Sequence, residues 1–272
     1  MSAVIKLSSP ATREFWEIPV LFEDEHLLAL DKPATLLAVP DLAEPARPSL
    51  LQLLHDAIAA DKPWAVERGL TYLSNIYRLD PETSGVFLLA RTKDVLVQLA
   101  DLFGSEKPQR QFLALVHGSP AEDRFQVNAK LAPHPSLAGA MRVDAWNGKR
   151  AETRFTVLER FAQQALVKCE PLTDRMHQLR VHLANTGLRV VGDKLYGGKP
   201  LWLSRLKKDF RLKPGREERP LLARVALHAE QLSLPHPVSG SEVTISAPWP
   251  KDFCVAVKYL REFGTSRFAP AE

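Results

Sequence analysis

Short strand-like segments recur along the chain, and their spacing constrains the fold more than any other feature of the sequence. They are rich in β-branched and aromatic residues and are bounded by turn residues. These segments are 20–33 (two strands around an acidic turn), 86–90, 111–118, 152–161 and 164–172. Residues 227–250 alternate apolar and polar side chains around a Pro-Val-Ser-Gly turn, which is typical of a β-hairpin.

A few helices are expected between these strands. Ser49 is the predicted N-cap of a helix that continues to about Ala60, because apolar residues follow it with helical spacing. Residues 93–103 show the same spacing. Thr173 is expected to cap a further helix from Asp174 to about Thr186, ended by Gly187. The pattern predicts an α+β fold with flanking helices on a mixed, largely antiparallel sheet.

Composition excludes several classes of protein. The chain has only two cysteines, Cys169 and Cys254, so neither a disulfide framework nor a cysteine-based zinc site is expected. No apolar run approaches the roughly 18 residues of a membrane span, and the N-terminus lacks the apolar core of a signal peptide. We therefore expect a soluble, cytoplasmic protein without a membrane partner.

No shift in composition indicates a second domain. We expect an extension over residues 1–20, one domain over residues 21–263 and a tail over residues 264–272. Residues 199–220, the basic insertion, carry eight Lys and Arg against three acids, and this surplus exceeds the +4 of the whole chain. With Trp202 and Phe210 interleaved, the insertion is a candidate RNA contact, and a solvated insertion is the alternative.

A carboxylate with unusual surroundings lies in the segment NIYRLDPETSGVFLLARTKD, residues 75–94. Asp80 precedes a proline, a glycine follows shortly, and a buried strand comes next, which together indicate a turn at the edge of a strand. Arg78 lies on the same loop, and functional sites are often built on such loops. A turn aspartate beside a surface arginine is the alternative interpretation.

The helix expected at residues 174–186 does not form a metal site. His177 and His182 are five residues apart and so lie roughly 140° apart around the helix axis. The i,i+4 pairing of a helical zinc site is absent, and no metal is expected. Arg180 is predicted near the edge of the apolar face, either as a surface residue or as a cation that holds Asp80 ionised.

Seven motifs, in one order from residue 21 to residue 252, resemble those of the RluA-type RNA pseudouridine synthases. Each is weak alone, and the ordered set is specific. They are FEDEHLLALDKPATLLAVP (22–40), YRLDPETSG (77–85), RQFLALVHG (110–118), KRAETRF (149–155), DRMHQLRVHL (174–183), VGDKLYG (191–197) and LHAEQLSLPHPVSG (227–240).

The resemblance implies that the protein flips a uridine out of structured rRNA or tRNA and isomerises it to pseudouridine without a cofactor. Asp80 corresponds to the family's catalytic aspartate, and Arg180 to the arginine that pairs with it. The aspartate is either a nucleophile or a base that removes a proton from the sugar. Arg78 would hold the flipped nucleotide, and the loop around Tyr77 would brace the vacated space.

The same resemblance places RNA contacts at Arg175, His177 and Gln178. Lys207, Lys208 and Arg211 are the cations of the basic insertion expected to meet RNA. No S4-type RNA-binding module is expected, and the protein is expected to be a monomer.

Three positions depart from the family pattern. Tyr77 replaces a histidine, and Asp174 replaces a glycine. Phe112 stands where the family has a tyrosine that packs against the target base and is a candidate for proton transfer at C5. Phenylalanine keeps the apolar face and lacks the hydroxyl. The alternative function is therefore a catalytically degenerate relative that binds or chaperones structured RNA.

Overall fold

The structure, a computed structural model, describes residues 4–41, 43–105 and 108–264. The chain divides into two compact units. Unit 1 comprises Met1–Arg110 with Ala229–Pro248, and unit 2 comprises Gln111–His228 with Trp249–Glu272. Residues 265–272 of the expected C-terminal tail lie outside the described residues.

The described residues form an α+β fold, as predicted. Its strands are β1 (Val4–Ser9), β2 (Glu14–Glu23), β3 (Leu27–Lys32), β4 (Ser74–Asn75), β5 (Ser84–Ala90), β6 (Gln109–His117), β7 (Arg124–Asn128), β8 (Leu131–Pro133), β9 (Met141–Val143), β10 (Glu152–Arg160), β11 (Gln164–Pro171), β12 (Leu227–Pro235) and β13 (Glu242–Ser246). Its helices are α1 (Leu50–Ala59), α2 (Pro63–Glu67), α3 (Lys93–Gly104), α4 (Gln178–Asn185), α5 (Leu203–Leu206) and α6 (Lys251–Phe263), with a 3₁₀ turn at Lys194–Tyr196.

Unit 1 is built on a sheet with the strand order β1-β2-β3-β5-β12, in which β13 pairs with β12 and β4 pairs with β5. The pairs β1–β2, β2–β3 and β3–β5 are antiparallel. Every residue of β5 is buried, which confirms the buried strand predicted after the Asp80 turn. The hairpin predicted near the C-terminus is confirmed as β12 and β13.

Gly85 explains why a glycine follows the Asp80 turn. Its φ is +111°, a value that L side chains rarely adopt. A Cβ atom placed there would lie 2.1 Å from the carbonyl oxygen of Ala229. Only glycine therefore lets the start of β5 approach β12 closely.

Residues 4–20, expected as part of an N-terminal extension, form a β-hairpin. β1 and the first part of β2 lie within residues 1–20 and pair from Val4 with Pro19 to Ser9 with Glu14. Alternate residues of β1, among them Ile5 and Leu7, are buried in unit 1. Their apolar contact surface makes this hairpin part of the fold.

Unit 2 contains a four-stranded antiparallel sheet with the order β6-β11-β10-β7, and β8 and β9 form a separate pair. The three strand-like segments predicted here are confirmed as β6, β10 and β11. A small core beside β8 and β9 contains Leu131, Met141, Ala151 and Val181. This core joins the β8–β9 pair to α4, which carries Val181.

Two of the three predicted helices begin and end where expected, and one does not. Ser49 accepts a hydrogen bond from the Gln52 amide and caps α1, and Thr92 caps α3 in the same way. The third helix, α4, begins at Gln178 rather than at Asp174. His177 before it has a left-handed backbone, φ 54°, which a right-handed helix cannot contain.

No helix among the described residues is long and apolar enough to cross a membrane.

Candidate active site

The loop that carries Asp80 lies in unit 1 and is held by several backbone contacts. The Thr83 amide donates to the carbonyl oxygen of Asp80 at 3.0 Å, which closes the turn. Leu79 is buried, whereas Arg78 is exposed and Asp80 is half-buried. The turn predicted from the sequence therefore presents a carboxylate and a guanidinium on one anchored loop.

A buried lysine holds this loop through hydrogen bonds to backbone carbonyl oxygens. Lys32, at the end of β3, is fully buried, and an ammonium group inside a protein needs polar partners to offset its desolvation. Its Nζ donates to the carbonyl oxygens of Pro33 (2.8 Å), Leu36 (2.7 Å) and Pro81 (3.1 Å). The Thr35 amide donates to the same Pro81 oxygen at 2.9 Å. Two donors thus fix the carbonyl of Pro81, the residue that directly follows Asp80.

Lys32 belongs to one of the family motifs, and the sequence alone predicted no role for it. The available signal was a lysine that ends an otherwise apolar strand and precedes a proline. Asp31, next to it, shows the effect of burial on a carboxyl group without such partners. Desolvation raises the pKa of Asp31 from its ordinary 3.8 to about 6, although the neighbouring charge of Lys32 opposes the rise.

Tyr77, in the loop that the resemblance assigns to the vacated space, is a core residue. It is only 6% exposed, and its ring lies against those of Phe87 and Phe103. Its hydroxyl donates to the carbonyl oxygen of Val86 at 2.8 Å and accepts from the Leu88 amide. Tyr77 therefore anchors the Asp80 loop to β5. Breaking the two hydrogen bonds of its buried hydroxyl would leave buried polar groups without partners, which costs free energy.

Arg180 lies in unit 2 on α4, is buried, and pairs with Asp193. Its Nε and Nη2 donate to the two carboxylate oxygens at 2.7 and 2.8 Å, a bidentate geometry that fixes the plane of the guanidinium. Asp193 is fully buried in the VGDKLYG motif, and the sequence alone predicted no role for it. The pairing of Arg180 with Asp80 stays a prediction.

Tyr196 joins Arg180 to His177. The Arg180 Cζ lies 5.0 Å from the centre of the Tyr196 ring, a cation–π distance. The Tyr196 hydroxyl accepts from the Met141 amide at 2.9 Å and lies 2.8 Å from His177 Nδ1. Tyr196 therefore links the guanidinium of Arg180, the backbone of β9 and the ring of His177.

Gln178, which the resemblance placed among the RNA contacts, is buried and has protein partners. Its side-chain oxygen accepts from the Thr173 hydroxyl at 2.9 Å. Its Nε2 donates at 3.0 Å to the Glu152 carbonyl oxygen and to the Thr153 hydroxyl. Thr173 is not the helix cap that the sequence predicted, because α4 begins at Gln178 and His177 occupies its N-cap position.

His182 lies one turn after Gln178 on α4 and also contacts the Thr153 hydroxyl. Its Nε2 lies 3.0 Å from the Ala129 carbonyl oxygen and its Nδ1 lies 2.9 Å from the Thr153 hydroxyl. Burial lowers the pKa of His182, so the ring stays neutral and donates from Nε2. The motifs KRAETRF and DRMHQLRVHL thus meet through Thr153.

The other residues predicted in unit 2 differ in exposure. Phe112 lies on β6 opposite Cys169 and is 8% exposed. Arg175 precedes α4 and is half-buried, with Nη1 donating to the Asp174 carbonyl oxygen at 2.7 Å. Among the described residues, its buried Nε has no hydrogen-bond partner.

The basic insertion lies on the surface of unit 2. Lys207, Lys208 and Arg211 are exposed, as a contact to a polyanion requires. Lys207 Nζ lies 5.2 Å from the centre of the Phe263 ring on α6. Within residues 4–41, 43–105 and 108–264, no cluster of three or more His, Cys, Asp or Glu side chains could hold a metal ion.

Comparison with known proteins decides the family. Residues 26–185, more than half of the chain, match the RNA pseudouridylate synthase family. The chain belongs to this family. Its members isomerise uridine to pseudouridine in RNA, and the chain is accordingly an RNA pseudouridine synthase. A degenerate relative that only binds RNA is not favoured.

Individual relatives agree with this assignment. The ribosomal large subunit pseudouridine synthase D of Xylella fastidiosa (strain Temecula1) is 37% identical over 246 residues, which cover 90% of this chain and 70% of that protein. The dual-specificity RNA pseudouridine synthase RluA of Escherichia coli (strain K12) is 30% identical, and the match covers 87% of this chain and 94% of that protein. Human RNA pseudouridylate synthase domain containing 4 shares the fold, with a TM-score of 0.66, 24% identity and coverage of 89% and 92%.

Proposed function

We propose that this pseudouridine synthase acts on structured ribosomal RNA, with Asp80 as its catalytic group. The observation that carries the proposal is the anchored turn that presents the half-buried Asp80 carboxylate beside the exposed Arg78. The names of the relatives from Xylella and other bacteria refer to the ribosomal large subunit, which supports rRNA as the substrate class. Transfer RNA is the second candidate substrate.

The reaction is an isomerisation, so its atoms balance within one nucleotide. The bond from N1 of uracil to the anomeric carbon breaks, the base rotates, and a bond from C5 forms. The C5 proton leaves and N1 gains a proton. Asp80 acts as the nucleophile at the anomeric carbon or at the ring, or as the base that takes a sugar proton, and each route requires the ionised carboxylate.

Arg180 is proposed as the cation that favours this ionised form. An opposite charge nearby stabilises a carboxylate, and a guanidinium is always charged. Asp193 fixes the plane of this guanidinium through the Nε and Nη2 donors of Arg180. Asp193 and Tyr196 act in this proposal as the groups that hold the guanidinium in place.

The remaining residues are proposed to bind the nucleotide and its strand. Arg78 holds the flipped nucleotide, and Phe112 packs its apolar face against the base. Half-buried Arg175 and His177 reach the RNA next to α4. The exposed cations of the basic insertion contact phosphates, which supply most of the affinity of proteins for RNA.

The test is a comparison of RNA from a strain that lacks the gene with RNA from its parent. Chemical probing for pseudouridine should show one or a few sites missing from large-subunit rRNA, restored by the wild-type gene. Pseudouridine sites missing only from tRNA would show that tRNA, and not rRNA, is the substrate. An unchanged pseudouridine map in both RNAs would contradict the proposal. Residence in the cytoplasm and a monomeric state remain predictions, and size-exclusion chromatography with light scattering tests the second.

A further inference from the structure

An unusually exposed tryptophan lies on a turn of unit 2, and the proposed reaction does not use it. Trp146, between β9 and the KRAETRF motif, is 92% exposed. Tryptophan side chains are on average well buried, since their large apolar surface is costly to hydrate. A ring held almost entirely in water therefore indicates a contact that is made with another molecule.

The turn that presents this ring is rigid. Asp144 Oδ1 accepts from the amides of Trp146 (3.1 Å) and Asn147 (2.9 Å), and the Gly148 amide donates to the Asp144 carbonyl oxygen at 3.0 Å. The hydrogen bond from Asn147 holds the pKa of the Asp144 carboxyl below its ordinary value. The carboxylate therefore stays ionised and continues to accept from the two amides. Binding to such a preformed turn requires little ordering of the backbone.

The backbone around Gly148 leaves no room for a side chain. A Cβ atom there would lie 2.3 Å from the Asp144 carbonyl oxygen and 2.8 Å from the Leu131 nitrogen. The turn is therefore packed against the start of β8. Its conformation is set by unit 2 itself and does not depend on a ligand.

Cations surround the turn. The Asp144 amide donates a hydrogen bond to the Lys130 carbonyl oxygen at 2.9 Å, and the Lys149 amide donates one to the Leu131 carbonyl oxygen at 2.8 Å. Lys130 and Lys149 therefore flank the turn. Both are exposed. Arg142 and Arg150 add two further positive charges, which are paired with Asp144 and Glu152 respectively. The surplus of positive charge beside an exposed aromatic ring suits a nucleic acid strand.

The turn is also connected to α4. Met141, at the start of β9, donates its amide hydrogen to the Tyr196 hydroxyl, and the Tyr196 ring lies against the Arg180 guanidinium. Met141 packs with Val181 of α4 in the same small core. Within unit 2, Trp146 therefore projects from an element that is tied directly to the helix carrying Arg180.

From this geometry we propose that Trp146 is a base-stacking contact for an unpaired nucleotide of the RNA, other than the uridine that is isomerised. Each base offers an apolar face to an indole ring, and phosphates on either side of that nucleotide meet Lys130 and Lys149. The contact helps to select unpaired RNA. This proposal for Trp146 rests on the protein's action on RNA. It does not depend on the roles proposed for Asp80 or Arg180.

The test measures binding of two probes, a single-stranded oligouridylate of about twelve nucleotides and an RNA duplex of the same length, at one salt concentration. Trp146→Ala should weaken binding of the oligouridylate roughly 5- to 150-fold, the range expected for one stacked base, and leave duplex binding unchanged. Trp146→Phe should recover most of the affinity. Phe15→Ala is the matched control, because it removes an exposed aromatic ring of unit 1 that is 59% exposed.

Fluorescence gives an independent readout of stacking. Oligouridylate should quench part of the tryptophan emission of the wild-type protein, and Trp146→Phe should abolish this quenching although four other tryptophans remain. Unchanged oligouridylate affinity in Trp146→Ala, or an equal loss for duplex and single strand, would overturn the proposal. A catalytically inactive protein that still shows the Trp146 effect would refute the proposed reaction and leave this contact intact.

Discussion

At the scale of single residues, the structure separates side chains that hold the site together from those proposed to act on RNA. Tyr77 and Gln178 belong to the first group, because each uses its polar atoms on buried partners. Asp80 and Arg78 belong to the second, because their loop presents them to solvent. Substitutions at Asp80 and at Phe112 test this separation.

Asp80→Asn should abolish isomerisation, by roughly a thousandfold or more, because an amide can neither attack carbon nor accept the proton. RNA affinity should change little, since phosphate contacts carry it. Single-turnover assays and filter binding measure the two quantities. Asp94→Asn, at an exposed carboxylate in the first turn of α3, is the control and should keep both. Pseudouridine formed at the wild-type rate by Asp80→Asn would remove this residue from the mechanism.

Phe112→Tyr should leave the rate equal or lower. Phe112 is 8% exposed, so the added hydroxyl is largely withdrawn from water, and a buried polar group without a partner costs about 1–3 kcal/mol. Thermal unfolding and single-turnover rates report this cost. A rate increase of about a hundredfold or more would show instead that the missing hydroxyl limits proton transfer in the wild-type protein. Phe112→Leu serves as the comparison that removes the ring without adding oxygen.

At the scale of elements, the contacts of loops and helix ends decide where the site residues lie. The loop after β3 holds the Asp80 turn through Lys32 and Thr35, and α4 starts at Gln178 because His177 has a left-handed backbone. The basic insertion is a third such element, tied at its base by the bond from the Leu221 amide to the Leu201 carbonyl oxygen.

Lys32→Met should lower both stability and rate. It leaves three carbonyl oxygens without their ammonium donor, which costs about 2–5 kcal/mol. It also removes one of the two donors to the Pro81 carbonyl oxygen, next to Asp80. A misplacement of about 1 Å at a reacting group can slow a reaction about a hundredfold. Urea unfolding measures the loss of stability. Single-turnover assays measure the loss of rate, at a temperature where circular dichroism shows that the variant is folded. Wild-type values for both would contradict the anchoring role of Lys32.

Replacing Lys207, Lys208 and Arg211 together by glutamine should weaken RNA binding about equally for all sequences. Each phosphate that is no longer neutralised by a cation should reduce the slope of log affinity against log salt by roughly 0.7 to 0.9. A charge-conserving triple variant (Lys207→Arg, Lys208→Arg, Arg211→Lys) is the matched control and should keep the wild-type slope. If the neutral variant also keeps it, the insertion is only a solvated segment.

At the scale of the whole molecule, stability depends on pH through Asp31. Its pKa is about 6 in the folded protein and close to 3.8 once exposed. The unfolded state therefore releases this proton at lower pH, so the contribution of Asp31 to stability is greatest below about pH 4 and is lost as pH rises to about 6. Ionised at neutral pH, the half-buried carboxylate then disfavours folding.

Asp31→Asn should accordingly raise the free energy of unfolding at pH 7 by about 1–2 kcal/mol, a value reduced for partial solvent screening. At pH 4 the variant and the wild type should agree closely. Urea unfolding at several pH values measures the difference between the two proteins, in which the other titrating groups cancel. Asp94→Asn should show no such dependence. An equal stability of Asp31→Asn and wild type at pH 7 would contradict the raised pKa.

The sequence by itself determined most of the strands, two of the helices and the family. Runs rich in β-branched and aromatic residues predicted most strands, and apolar residues with helical spacing predicted α1 and α3. The Asp-Pro turn before a buried strand located the Asp80 loop. These features depend on neighbours in the chain, and local patterns therefore encode them. The ordered motifs identified the family for the same reason, since each is a short continuous segment.

Only the tertiary structure decided which polar side chains of those motifs face a buried partner. Lys32 reaches Pro81, 49 residues away, and Gln178 reaches Thr153, 25 residues away, so neither contact leaves a local pattern. Arg180 and Asp193 meet only because α4 and the 3₁₀ turn pack together in unit 2. Whether a hydroxyl, an amide or an ammonium is functional or structural depends on what desolvates it, and that is set by residues distant in the chain.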